Sequence, residues 1–149
     1  MIKSGLIFFL LLIYINPIFA EEIQITSDKL TVDRKVNQST FTGNVYAENK
    51  TFKIWSDKLI IEFNEDDEEI EIIKSYNKVK INYENMSTLS DEAIYEPNSR
   101  ILKLKGNVIA IENDNEITCD ELILDIHNST SIMKSNTLKK VKATIVTKK

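Results

Sequence analysis

Aspartate, cysteine and histidine are the residues through which this chain could do chemistry. Ser27-Asp28, Ser56-Asp57, Ser90-Asp91 and Cys119-Asp120 recur at spacings of 29, 34 and 29 residues. Four carboxylates could ligate a cation if they converged on one point. Separate turns roughly 30 residues apart do not converge easily, so no metal site is expected. Each Asp is read as opening a strand just after a turn, where it would accept hydrogen bonds from nearby backbone amides. Cys119 is the single cysteine, which excludes an intramolecular disulfide. No His, Lys or Arg stands within four residues of it to lower its pKa, and it occupies the serine position of the repeat, so it is read as a small buried strand residue. His127 is the only histidine, in a turn-like stretch, and no nucleophile elbow accompanies it. Beyond the first twenty residues only Gly43 and Gly106 remain, too few for a phosphate-cradling loop. An enzyme is therefore disfavoured, and no cofactor is expected.

A catalytic group is needed once, whereas a mark that returns in register is architectural. Gly43-Asn44-Val45 returns as Gly106-Asn107-Val108 at an offset of 63, and residues 27–63 align with 90–126 without a gap. A period near 30 indicates one small supersecondary unit stacked several times. Between the marks the apolar residues alternate. Leu30 and Val32 share a face, as do Phe41, Gly43, Val45 and Ala47. The same holds for Leu59, Ile61 and Phe63, for Val79, Ile81 and Tyr83, for Leu102, Leu104, Gly106, Val108 and Ala110, for Leu122, Leu124 and Ile126, and for Val141, Ala143 and Ile145. A period of two is that of strands. Turn-forming stretches separate the runs at Asp33-Arg34-Lys35, Glu48-Asn49-Lys50, Asn64 to Glu69, Pro97-Asn98-Ser99, Asn113-Asp114-Asn115 and His127-Asn128-Ser129. About ten to thirteen short strands fit this spacing. Glycine inside a strand marks a bulge or bend, so Gly43 and Gly106 are expected to bend two long strands at equivalent points. The expected class is all-β, an open rolled sheet of stacked repeats whose two ends expose unpaired backbone.

The first twenty residues read as a signal peptide: Lys3, an apolar run from Leu6 to Ile15, a break at Asn16-Pro17, and a cut after Ala20. The domain then spans residues 21–149. A membrane anchor is the competing reading, but the run is shorter than a spanning helix needs. The net charge is −4, which gives no general attraction for nucleic acid. Glu62 to Glu71 carries seven acids and is read as a solvated hairpin tip. After Asp125 there are no acids, and Lys134, Lys139, Lys140, Lys142, Lys148 and Lys149 follow. These lysines either protect an edge or form a basic end that meets an acidic partner or lipid phosphates.

Ile25-Thr26-Ser27-Asp28-Lys29-Leu30, Phe41-Thr42-Gly43-Asn44-Val45, Asp91-Glu92-Ala93-Ile94-Tyr95 and Leu102 to Val108, in that order, resemble the periplasmic lipopolysaccharide-transport proteins of the LptA/OstA type, over roughly residues 23 to 145. The resemblance implies an open, twisted β-jellyroll with an apolar interior. It implies a periplasmic, non-enzymatic bridge protein that carries lipopolysaccharide from the inner to the outer membrane. It also implies LptC-like inner-membrane and LptD-like outer-membrane jellyroll partners, and head-to-tail stacking of copies. The groove for the lipid A acyl chains would then be lined by Leu30, Val32, Phe41, Val45, Ala47, Leu59, Ile61, Phe63, Val79, Ile81, Tyr95, Leu104, Val108, Ala110, Leu122, Leu124 and Ile126. Two other readings stand beside it: an anchored LptC-like component of the same system, and a structural β-repeat protein that assembles without lipid.

Overall fold

The computed structural model describes residues 22–66, 68–136 and 138–148; the signal peptide expected over residues 1–20 lies outside them. Among the described residues there are ten strands: β1 Gln24–Thr26, β2 Lys29–Asp33, β3 Gln38–Glu48, β4 Phe52–Phe63, β5 Ile70–Tyr83, β6 Met86–Glu96, β7 Ile101–Glu112, β8 Asn115–Asp125, β9 Thr130–Lys134 and β10 Lys142–Thr144. They form one antiparallel meander in the order β1-β3-β4-β5-β6-β7-β8-β10. β1 and β2 pair with opposite ends of β3, and β9 and β10 with opposite ends of β8. Each outer position is thus one interrupted strand, and the sheet does not close on itself. The central strands, at 11 to 14 residues, are longer than the short strands expected.

Every long strand bends at the same level, and the repeat marks are the bends. The register shifts between Thr42 and Val45, Trp55 and Lys58, Tyr76 and Val79, Leu89 and Glu92, and Lys105 and Val108. On β3 and β7 the bend is Gly43-Asn44 and Gly106-Asn107, with φ of 85° and 46°, and 81° and 48°. Left-handed backbone of this kind suits glycine, and asparagine tolerates it better than most residues. β5 turns the same corner with Asn77-Lys78, at φ 64° and 51°, directly before Val79. It is the third copy of Gly-Asn-Val, concealed because neither of its first two residues matches. The Ser-Asp marks occupy the strands between. Ser27, Ser56 and Ser90 each donate from Oγ to the carbonyl two residues on, at 3.0, 3.1 and 3.0 Å.

The aspartates differ from expectation. Asp57, Asp91 and Asp120 stand inside the bent strands and do not follow turns, while Asp28 lies in the break between β1 and β2. Asp28 accepts a hydrogen bond from Asn44 Nδ2 at 2.9 Å, and Asp91 one from Asn107 Nδ2 at 2.8 Å. Asp120 alone matches the backbone-amide reading, accepting from Asn136 N at 2.8 Å. The carboxylate locks a left-handed asparagine across the corner, because that residue turns its own side chain back toward the neighbouring strand. Asp28 and Asp91 also occupy the space a side chain would need at Gly43 and Gly106. A Cβ on Gly43 would lie 2.5 Å from Asp28 Oδ2.

The corner divides the sheet into a β1–β10 half and a β2–β9 half, and their apolar faces meet. Directly opposed residues in an antiparallel ladder point the same way. One inward row of the β2–β9 half runs Leu30, Phe41, Leu59, Ser75, Ala93, Leu104, Leu122, Met133. The facing row of the other half runs Ile25, Ala47, Ile54, Ile81, Thr88, Ala110, Ile117, Ala143. Burial of each large aliphatic side chain in these rows is worth about 1.5–3 kcal/mol. The acidic run is shorter as a tip than expected: Glu62 lies in β4 and Glu71 in β5. Glu62 instead receives Lys74 Nζ at 2.6 Å across the ladder. A tight turn at Glu84-Asn85, with Glu84 at φ 52°, joins β5 to β6 and is not among the turn-forming stretches read from the sequence.

Candidate functional site

The space between the two half-sheets is the one place where the chain gathers most of its apolar side chains. Val45, Ala47, Leu59, Ile61, Val79, Ile81, Tyr95, Leu104, Val108, Ala110, Leu122 and Leu124 are all buried there. Phe41, Phe63 and Ile126 are partly buried against them. Leu30 and Val32, also expected in the lining, differ from these residues in exposure. They keep the inward orientation, opposite Phe41 and Ser39, yet are 54% and 58% exposed. They sit on the edge strand, beyond which no described strand covers them, so orientation alone does not bury them.

Sequence reasoning left out several interior residues. Phe52 and Ile54 alternate with exposed Lys53, a legible period of two. Leu102 was placed on the right face but not in the groove. Ile73 and Ala93 complete the inward rows, masked by the neighbouring acids and by small size respectively. Four buried polar residues share the interior: Ser56, Ser75, Thr88 and Ser90. Thr88 Oγ1 donates to the carbonyl of Ile81 at 3.3 Å, and no buried side-chain polar atom among the described residues lacks a partner. Cys119 is buried, and that burial pushes its thiol pKa up, the opposite of what a reactive cysteine needs.

The interior is filled unevenly. Near β1, a cavity lined by Ile23, Ile25, Ala47, Phe52, Ile54, Leu59, Ile73 and Tyr95 has a volume of only about 20 Å³. The Phe52 ring is part of its wall. It lies 5.3 Å from Tyr83 on its own half-sheet and 5.0 Å, edge-on, from Tyr95 on the other. Toward β9, a cavity of about 230 Å³ opens between Tyr83, Met86 and Glu112 on one side and Leu124, Ile126 and Ser131 on the other.

Both ends of the sheet carry unpaired backbone. β1 and β2 bond only to β3, and β9 and β10 only to β8, among the described strands. The last edge is the pair Thr130–Lys134 and Lys142–Thr144, and of the run Val141, Ala143 and Ile145 only Ala143 lies in a strand. Lys134, Lys139, Lys140, Lys142 and Lys148 are exposed along it. Lys139 Nζ lies 3.8 Å from Asp120 Oδ1. The turn into β9 is held by Asp125, which accepts from Asn128 N at 3.0 Å and Asn128 Nδ2 at 2.8 Å. These hydrogen bonds, the backbone one first, lower the Asp125 pKa.

A bent open sheet with an apolar inner face and two free edges is the geometry of a known group of proteins. The family model described as LptA/(LptD N-terminal domain) LPS transport protein matches residues 24–130. No curated protein matches the chain. Among solved structures, the crystal structure of LptH, described as the LptA homologous periplasmic component of the conserved lipopolysaccharide transport device from Pseudomonas aeruginosa, matches with a TM-score of 0.76. Its sequence is 12% identical, and the match covers 85% of this chain and 96% of that one, so the likeness speaks for the fold. With the family model spanning well over half of its length, the chain belongs to the LptA/(LptD N-terminal domain) family of lipopolysaccharide transport proteins.

Proposed function

We propose that this protein is a periplasmic bridge component that holds lipopolysaccharide by its acyl chains between the two half-sheets and passes it toward the outer membrane. The observation that carries this reading is the single sheet folded onto its own apolar face, with both edges left unpaired. Each methylene withdrawn from water contributes about 0.8 kcal/mol, so an apolar cleft holds acyl chains without any specific polar contact. An open roll also lets the sugar and phosphate part of the lipid stay in water. The free edges suit β-strand addition by the jellyroll domains of membrane partners, and by further copies of this chain, head to tail. The segment 1–20 is proposed to direct export and to be cut after Ala20. The role is one of carriage, with the energy for movement supplied by a partner.

Photocrosslinking tests the reading. A photoreactive residue at inward Phe41 or Ile126 should crosslink to added lipopolysaccharide, and one at outward Thr42, Lys58 or Lys105 should not. Crosslinks confined to the outward positions would overturn it.

A further inference from the structure

A roll that carries lipid must make room for it, and the structure shows where its interior is most nearly filled. Along β4, Phe52 stands five residues before Asp57 at the corner; at about 3.3 Å per residue it lies roughly 16 Å from the bend, on the rim. Tyr95 lies four residues beyond Asp91 on β6, at the rim of the opposite half. Their rings meet at 5.0 Å, and of the ring pairs among the described residues this one joins the two half-sheets. The backbone of Phe52 is anchored at the rim: Asn49 Oδ1 accepts from Thr51 N at 2.8 Å and Phe52 N at 2.7 Å, and Asn49 N donates to Phe52 O at 3.0 Å. Behind the rings lies an almost wholly filled apolar cavity of about 20 Å³. That is about one water's worth of space, so an acyl chain cannot occupy this part of the groove while the rings touch.

We propose that Phe52 and Tyr95 are a latch on the β1 side of the groove, and that parting them about the corner admits an acyl chain between Ile25, Ile54, Leu59 and Ile73. The corner is suited to act as the hinge line, because left-handed residues and Asp–Asn hydrogen bonds fix the bend there, and the residues beside it, Val45, Leu59, Leu104 and Val108, stay packed while the rims part. The latch is a positioning device for cargo, and it rests on the transport reading above.

The test uses the full mature chain with Cys119→Ser, so that added thiols are the only ones. A photoreactive residue at Ile25, which is only partly buried, reports lipid inside the β1-side cavity. Purified lipopolysaccharide is the probe. With Phe52→Cys and Tyr95→Cys joined by a short bis-methanethiosulfonate linker, crosslinking at Ile25 should fall to background, and reductant should restore it. Phe52→Ala should raise the initial crosslinking rate several-fold even as it lowers Tm. A linked protein that crosslinks as fast as the reduced one overturns the latch and assigns access to the wider mouth near β9. A lowered Tm with no gain in rate for Phe52→Ala marks the ring as packing alone and also overturns it. Absence of crosslinks at Ile25, Phe41 and Ile126 in every form, linked or not, overturns the transport reading and the latch together.

Discussion

The two ends of the roll are continuous with one ladder, yet their rims differ in kind. On the β1–β10 half, the rim row reads Phe52, Tyr83, Met86, Glu112, Asn115 from one end to the other. Opposite it, the β2–β9 half presents Ile73, Tyr95, Leu102, Leu124, Ser131. At the β1 side aromatic meets aromatic or aliphatic, and only about 20 Å³ is left behind them. Toward β9 a carboxylate and an amide face a leucine and a serine, and about 230 Å³ stays open. Glu112 is exposed, as an unpaired carboxylate is costly to bury. The lesson is that a groove's mouth is set by one row of side chains at the rim, while the rows nearer the corner keep the core uniform along its length.

Substitution at the rim breaks this comparison most directly. Phe52→Ala should destabilise the fold by about 3–5 kcal/mol, the usual cost of deleting a buried aromatic ring. Glu112→Ala at the open end should stay within about 0.5 kcal/mol, as surface changes do. Equal effects in urea denaturation would mean that the two rims are not distinct.

The corner offers a second contrast, smaller in size. Gly106 lies between β6 and β8, bonded on both sides, whereas Gly43 faces the interrupted edge strand. Gly106→Val should cost about 1–3 kcal/mol, since it forces a β-branched residue into left-handed backbone against Asp91. Gly43→Val should cost less, because Asp28 lies in the break between β1 and β2, where the chain can shift. A larger loss of Tm for Gly43→Val than for Gly106→Val would show that the first edge is as firmly held as the middle.

The smallest effect concerns the turn that presents β9. The folded-state pKa of Asp125 lies below its ordinary value of 3.8, chiefly through the Asn128 amide. A depressed carboxylate pKa contributes stability that is complete above the unfolded value and is lost as pH falls through the folded one. Asp125→Asn should therefore lower Tm slightly near neutral pH, and the gap from wild type should shrink well below 3.8. A gap that is constant with pH would remove the ionised carboxylate from the account of this edge.

Local chemistry made much of this protein legible before any fold was seen. Alternation with a period of two declares strands, because it depends only on successive side chains pointing to opposite faces. Gly43 and Gly106 declare a bend, because glycine inside a strand run favours a bulge, whereas the Ser-Asp mark recurs openly but takes its place at the corner, serine bonding the carbonyl two residues on, only in the fold. What the tertiary structure decided were matters of neighbourhood. Asn77-Lys78 turns a corner without glycine because the strands on either side already bend at that level. Leu30 and Leu104 have the same type and the same inward orientation, yet one is 54% exposed and the other 0%. The difference is only whether another strand follows. Phe52 and Tyr95 are far apart along the chain, and nothing in either run states that they touch. Period and hydrogen-bonding habit act over a few residues, so a sequence carries them openly. Edges, rims and contacts across a groove exist only once every bend has been summed, so the assembled fold alone sets them.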